Sequence, residues 1–216
     1  MHAADADLEK RSAAQAAAEQ VADGATVGLG TGSTVELLLP ALARRELDLR
    51  CVATSPQTES AARELGISVE PFEALDRLDV AIDGADQITP DGWLVKGGGG
   101  AHTREKIVAA AAERFIVIAD SSKPVDAIGP PIPLELHGYG LRATLRAVGD
   151  VTLRDAPPSP DGGVIADYHG EVGDLEELAA RLSATPGVVD HGLFPPSMVS
   201  DVLIGRGEEV ERRSVG

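Results

Sequence analysis

Between Ala25 and Asp120, apolar runs of strand length alternate with runs of helix length, and the strand-length runs end in glycine, serine or aspartate. A helix is expected over 5–22, with Gly24 as its stop. Ala25–Gly30 reads as a strand entering a glycine-rich turn, and Ser33 or Thr34 can cap a helix reaching Arg45. Pro40 inside that helix predicts a kink or a break. Arg50–Ser55 is a second strand, and Thr58–Leu65 a helix closed by Gly66. Val69 falls in a short strand, Asp79–Asp83 in a longer one, and Trp93–Lys96 in another. His102–Glu113 is helical, and Arg114–Asp120 is so continuously apolar that it predicts a strand buried on both faces. Such alternation specifies an α/β fold: a doubly wound, mostly parallel, Rossmann-like sheet.

The pattern changes after the proline-rich stretch Ile128–Pro133. Strand 132–137, helix 139–148, strands 151–155 and 163–168, helix 174–184 and strand 188–194 follow in the order βαββαβ, which is ferredoxin-like. The segment 157–163, rich in proline and glycine, is the hairpin turn between the two middle strands. Val199–Gly205 is one more strand, expected to return to the first sheet. The expected division is therefore a Rossmann-like domain of 1–128 plus 199–216 and a smaller ferredoxin-like α+β domain of 129–198.

The chain has 216 residues, of which 43% are hydrophobic, enough for a sizeable core. Only 3% are aromatic, which argues against a stacking platform for single-stranded nucleic acid. A formal net charge of −16 repels polyphosphate backbones and anionic membranes, so neither nucleic acid nor membrane is expected as a partner. No apolar stretch reaches the roughly 18 residues of a spanning helix, and the alanine-rich, charged start lacks the apolar core of a signal peptide. A single cysteine, Cys51, sits in an apolar run and reads as a core thiol, consistent with a cytoplasmic protein. Of 19 basic residues, 15 are Arg and four are Lys. High-salt adaptation, which favours acidic surfaces poor in lysine, and a codon bias toward Arg explain this equally well.

Four clusters carry candidate chemistry. The first is Gly28-Leu-Gly-Thr-Gly-Ser-Thr34, whose glycines, hydroxyls and following helix N-terminus can hold a phosphate. It departs from a dinucleotide fingerprint, since the third glycine comes early and the second strand ends in Thr54-Ser55 rather than an acid; no Gly-Lys-Ser/Thr follows for a Walker loop. The second is Asp83-Gly-Ala-Asp86 at a strand end, where two carboxylates could grip hydroxyls, move protons or simply cap a turn. The third is Lys96-Gly-Gly-Gly-Gly-Ala-His-Thr-Arg-Glu-Lys106, a bare backbone loop with cations at both ends. On a helix starting near His102, Glu105 faces the loop from the first turn, as a base or as a carboxylate answering the helix dipole. The fourth is Asp120-Ser-Ser-Lys123, whose lysine could reach a phosphate or an oxyanion. Metal sites look absent, since His2, His102, His137, His169 and His191 are scattered and lack ligand spacing. No G-x-S-x-G elbow supports a hydrolase triad.

In this order and spacing, Gly30–Thr34, Asp83–Asp86, Lys96–Ala101, Arg104–Lys106 and Asp120–Lys123, with Pro186-Gly-Val-Val and Gly192-Leu-Phe, resemble the blocks of the type A ribose-5-phosphate isomerases. The resemblance implies interconversion of D-ribose 5-phosphate and D-ribulose 5-phosphate in the pentose phosphate network, without metal or cofactor. It implies contacts to the phosphorylated pentose at Thr31, Gly32, Ser33 and Thr34, at Asp83, Gly84, Ala85 and Asp86, at Lys96, Gly97, Gly98 and Gly99, and at Lys123. It assigns the proton-abstracting base to Glu105 and implies a homodimer or a homotetramer built from dimers. The chemistry agrees: passage through an enediolate needs a carboxylate reaching two carbons and positive charge or N–H donors for the oxyanion, which Lys96 and the glycines can supply. Asp83 is expected to help open the furanose ring or to hold hydroxyls. Gln87 stands where the family usually has Glu, and His102-Thr103 where apolar residues often follow the glycines. Two rival classes share the sheet. A sugar-phosphate sensor would need a basic helix-turn-helix, for which no segment is spare, and an amino-sugar-phosphate deaminase would release ammonia.

Overall fold

The computed structural model describes residues 3–75 and 77–215, so His2 lies outside the described residues. Helix α1 (Ala3–Ala18) is followed by β1 (Thr26–Leu29), α2 (Ser33–Ala43), β2 (Arg50–Ala53), α3 (Pro56–Glu64), β3 (Leu78–Gly84), β4 (Gln87–Ile88), β5 (Leu94–Val95), α4 (His102–Ala111) and β6 (Ala112–Ala119). Then come β7 (Ile132–Leu136), α5 (Leu141–Val148), β8 (Val151–Leu153), β9 (Val164–Tyr168), α6 (Leu175–Ser183), β10 (Val188–His191), β11 (Leu193–Phe194), β12 (Asp201–Arg206) and β13 (Glu209–Ser214).

The main sheet has the order β13-β12-β6-β3-β1-β2, parallel throughout except for the antiparallel hairpin β12–β13. Strand β6 shows why its sequence is continuously apolar. Ile116 and Ile118 face one core with Leu38, Leu42 and the alanines of α1, while Phe115 and Val117 face another with Val108 and Ala109 of α4. Both faces of a parallel strand are covered by helices, so neither set of alternating side chains can be polar. A second sheet, β10-β7-β9-β8, is antiparallel throughout and carries α5 and α6; its order is that of a ferredoxin-like unit.

Several expectations are corrected. Trp93–Lys96 does not join the main sheet: only Leu94 and Val95 pair, in a third, three-stranded antiparallel sheet of order β11-β5-β4. Leu94 packs into the core under the main sheet and Val95 into the core of the second sheet, so this small sheet joins the two. Strand 188–194 breaks at Gly192, where the chain passes from the second sheet to the third. A Cβ there would lie 2.1 Å from the Lys96 carbonyl oxygen, so the crossing requires glycine. Val69 makes only an isolated bridge to Cys51, and α2 runs through Pro40 without a break. Strand β13, with its polar sequence Glu-Val-Glu-Arg-Arg-Ser, was not expected.

Candidate active site

The C-terminal ends of β1, β3 and β6 and the glycine loop before α4 open onto one cleft, the edge where parallel α/β sheets bind ligands. Its cavity of about 140 Å³ is lined by Thr31, Gly32, Ser33 and Thr34, by Gly84, Ala85 and Asp86, by Lys96, Gly97, Gly98, Gly99 and Glu105, and by Lys123. Thus all four sequence clusters contribute. Of the expected contacts to the sugar, Asp83 alone does not line the cavity; it pairs with Lys96.

The deepest part of the site is an ion cluster. Lys96 Nζ lies 2.9 Å from Asp83 Oδ2 and 3.1 Å from Glu105 Oε2, and donates to the Gly84 carbonyl. The three residues are 3–4% exposed. Asp83 Oδ1 accepts N–H bonds from Thr31 (3.1 Å) and Gly84 (2.7 Å), which fixes its carboxylate. Gly30 must be glycine for this, because a Cβ there would stand 1.9 Å from the Asp83 carboxyl carbon. Glu105 is held less firmly: the ion pair of its Oε2 with Lys96 is the longer of the two, and among the described residues its carboxylate takes no backbone N–H bond like those on Asp83.

Two buried carboxylates share one ammonium. Burial, reinforced by the charge of Asp83 and opposed by Lys96, pushes the Glu105 pKa up to about 8. Burial also raises that of Asp83, against the pull of Lys96. For Lys96 burial disfavours the charge, but the two carboxylates outweigh it and hold its pKa above the usual value. The cluster therefore contains a firm ammonium and a carboxyl group poised to exchange a proton near neutral pH.

The mouth of the cleft is positive. Helix α2 begins at Ser33, with Gly32 as its N-cap at φ 118° and no side-chain cap, so the expected capping by Ser33 or Thr34 is not made. The helix N-terminus is left to meet a ligand. Lys10 of α1 reaches Ser33 Oγ at 3.0 Å and lines the same cavity. Sequence reasoning missed it because nothing in its local helix distinguishes it; the available signal was lysine scarcity, since three of the four lysines line this cleft. Lys123 is presented by a turn in which its N–H bonds the Asp120 carbonyl and its own carbonyl accepts from Ile88. Asp86 accepts the Gly98 N–H at 2.9 Å.

Other candidates lie elsewhere. Arg104 forms a bidentate pair with Asp161, and Lys106, instead of being solvated, pairs with Asp190 at 2.6 Å. Cys51 is fully buried. Gln87 donates to the Gly129 carbonyl and accepts its N–H, a two-way bond that a carboxylate could not make. His102 is fully buried at the start of α4, and burial pushes its pKa down to about 3. Among the described residues, no group of three or more His, Cys, Asp or Glu could hold a metal ion, and no helix is long and apolar enough to cross a membrane.

Residues 50–209 match the family model for ribose 5-phosphate isomerase A (phosphoriboisomerase A). A ribose-5-phosphate isomerase A of Halobacterium salinarum is 44% identical, with 96% of each chain covered. The structure of ribose 5-phosphate isomerase A from Methanocaldococcus jannaschii superposes with a TM-score of 0.90 at 34% identity, covering 96% of this chain and 98% of that one. A D-ribose-5-phosphate isomerase solved in complex with phospho-erythronic acid superposes with a TM-score of 0.88 at 32% identity, covering 95% and 97%. With its fold and sequence matched nearly end to end, the chain belongs to the ribose 5-phosphate isomerase A family of isomerases.

Proposed function

We propose that this isomerase interconverts D-ribose 5-phosphate and D-ribulose 5-phosphate through an enediolate, with Glu105 as the proton-transferring base. The observation that carries the reading is the buried Lys96 standing between Asp83 and Glu105 at the floor of the cleft. The Glu105 carboxylate takes the C2 proton of the open-chain aldose as the C1 carbonyl oxygen becomes an oxyanion. It then returns the proton to C1, and the remaining hydroxyl proton passes from O2 to O1, leaving the C2 ketone. Each of the three ammonium hydrogens of Lys96 has a carboxylate or carbonyl neighbour in the free site. When Glu105 is protonated, its hold on Lys96 weakens just as negative charge appears on the sugar. The positive charge is then free to stabilise the enediolate, and the total charge of the buried cluster is unchanged.

Asp83, with Oδ1 fully engaged, holds Lys96 in place rather than touching the sugar. Lys10, Lys123 and the uncapped N-terminus of α2 form the phosphate seat. Asp86 and the glycine loop lie along the same cleft, where sugar hydroxyls would be held. Phospho-erythronic acid, bound by the relative, is a phosphorylated carboxylate whose planar, anionic head imitates an enediolate, which supports the same reading here. The reading also keeps the division at 129–198, with the reacting groups on the larger unit and its neighbour bracing the glycine loop, and an assembly of two or four copies in the reducing cytoplasm.

The test is a coupled assay of ribose 5-phosphate conversion to ribulose 5-phosphate, run with a chelator present. Turnover that falls by about 10²–10⁴-fold in Glu105→Gln is expected. Absence of turnover by the wild-type protein, or full activity of the variant, refutes it, and ammonia release from an amino-sugar phosphate would point to the deaminase class.

A further inference from the structure

The glycine loop is gripped from outside the main sheet by a residue that none of the four sequence clusters contains. Arg154 follows β8 directly, and its Nη1 donates to the Gly97 carbonyl (2.8 Å) and the Gly98 carbonyl (3.0 Å). The other edge of the guanidinium forms a fork with the Asp167 carboxylate of β9, with Nε 3.0 Å from Oδ2. The side chain is 21% exposed, so this is a half-buried, charge-assisted arrangement. Ile165, two residues before Asp167 on β9, packs against Gly100 of the same loop.

We propose that Arg154, oriented by Asp167, is a positioning residue that aims the N–H groups of the glycine loop into the cleft. The inference rests on the isomerase reading above. In a trans peptide the C=O and N–H point in opposite directions. Holding the Gly97 carbonyl toward Arg154 therefore turns the Gly98 N–H the other way, where Asp86 Oδ2 receives it at 2.9 Å. Holding the Gly98 carbonyl does the same for the Gly99 N–H, on the stretch that lines the cavity. A run of four glycines has no side chains to fix its peptide planes, and free rotation would scatter these donors. The guanidinium also polarises both peptides, which strengthens their N–H groups as donors. Arg154 itself does not line the cavity, so it acts through the loop. The antiparallel sheet thereby becomes part of the catalytic apparatus rather than an appendage.

The experiment compares Arg154→Met, Arg154→Lys and Asp167→Asn with wild type in the ribose 5-phosphate assay, with thermal melting run alongside. The Gly98 N–H fixes Asp86, and the Gly99 N–H is the donor offered to the developing oxyanion beside Lys96. Because that donor acts in the transition state, Arg154→Met should lower kcat by on the order of 10- to 100-fold with KM changed much less. Arg154→Lys keeps the charge but cannot hold two carbonyls and a carboxylate fork together, and should fall between. Asp167→Asn should move kcat in the same direction. A kcat per folded molecule equal to wild type in Arg154→Met, with only a lower melting temperature, overturns the proposal. Should Arg154→Met fail to fold, Arg154→Lys decides, and parity with wild type overturns it. Wild-type turnover in the same assay separates this failure from failure of the isomerase reading.

Discussion

Replacing Glu105 with Gln should make the enzyme nearly inactive and, at alkaline pH, more stable. The carboxyl group is 4% exposed, and its pKa is raised from 4.5 to about 8, chiefly by burial. A group whose pKa is raised on folding contributes its stability below the unfolded value and loses it as pH climbs through the folded one. Wild-type stability should therefore fall between pH 4.5 and about 8, because over that interval the unfolded chain releases this proton while the buried side chain keeps it. At 1.36 kcal/mol per pH unit, that interval corresponds to an upper limit of about 5 kcal/mol. Gln has nearly the same shape and never ionises, and it leaves Asp83 and Lys96 as a one-to-one pair. The assay is urea denaturation of both proteins from pH 5 to pH 9. Near pH 5 the wild-type side chain is protonated, and the two should be of similar stability. By pH 9 the variant should be more stable by a few kcal/mol, while its turnover stays about 10²–10⁴-fold lower. A stability difference that does not change with pH would refute the reasoning, because Glu105 would then carry no burial penalty on ionisation.

Two further perturbations probe the frame around that group. Gly30→Ala places a Cβ against the Asp83 carboxylate, so Asp83 must move and release Lys96; a loss of about 1–3 kcal/mol in stability and a fall in kcat are expected by denaturation and kinetics. Lys10→Met removes a cation beside the N-terminus of α2, and should raise KM for ribose 5-phosphate about tenfold, with kcat little altered and the dependence of KM on KCl reduced.

Much of this site was legible because its chemistry is local. Gly30, Asp83, Asp86, the glycine run and Glu105 announce themselves by spacing along strand ends and one helix turn. The parallel sheet was likewise readable from runs such as Arg114–Asp120, where burial on both faces leaves no room for polar alternation. What escaped the sequence depends on contacts between distant segments. Lys10 and Arg154 sit among ordinary surface residues, and only the folded chain brings one to Ser33 and the other to Gly97. Strands β4, β5 and β11, at two residues each, are too short to carry a period. The Ser33 cap was misread because Gly32 takes the cap position, and the freed N-terminus faces the cleft. Asp83 was expected to help open the furanose ring or hold hydroxyls; in the fold its Oδ1 accepts two N–H groups and its Oδ2 pairs with Lys96.

The central claim is that one buried carboxyl group carries a proton between neighbouring carbons of the sugar. It is tested most directly by turning over ribose 5-phosphate in D₂O and reading the label at C1 of ribulose 5-phosphate by NMR. Proton transfer through Glu105 predicts deuterium at C1 in those turnovers in which the proton on the buried Glu105 exchanges with solvent before delivery, with labelling and turnover lost together in Glu105→Gln. Wild-type turnover and labelling in Glu105→Gln would mean that another group carries the proton, and would contradict the account.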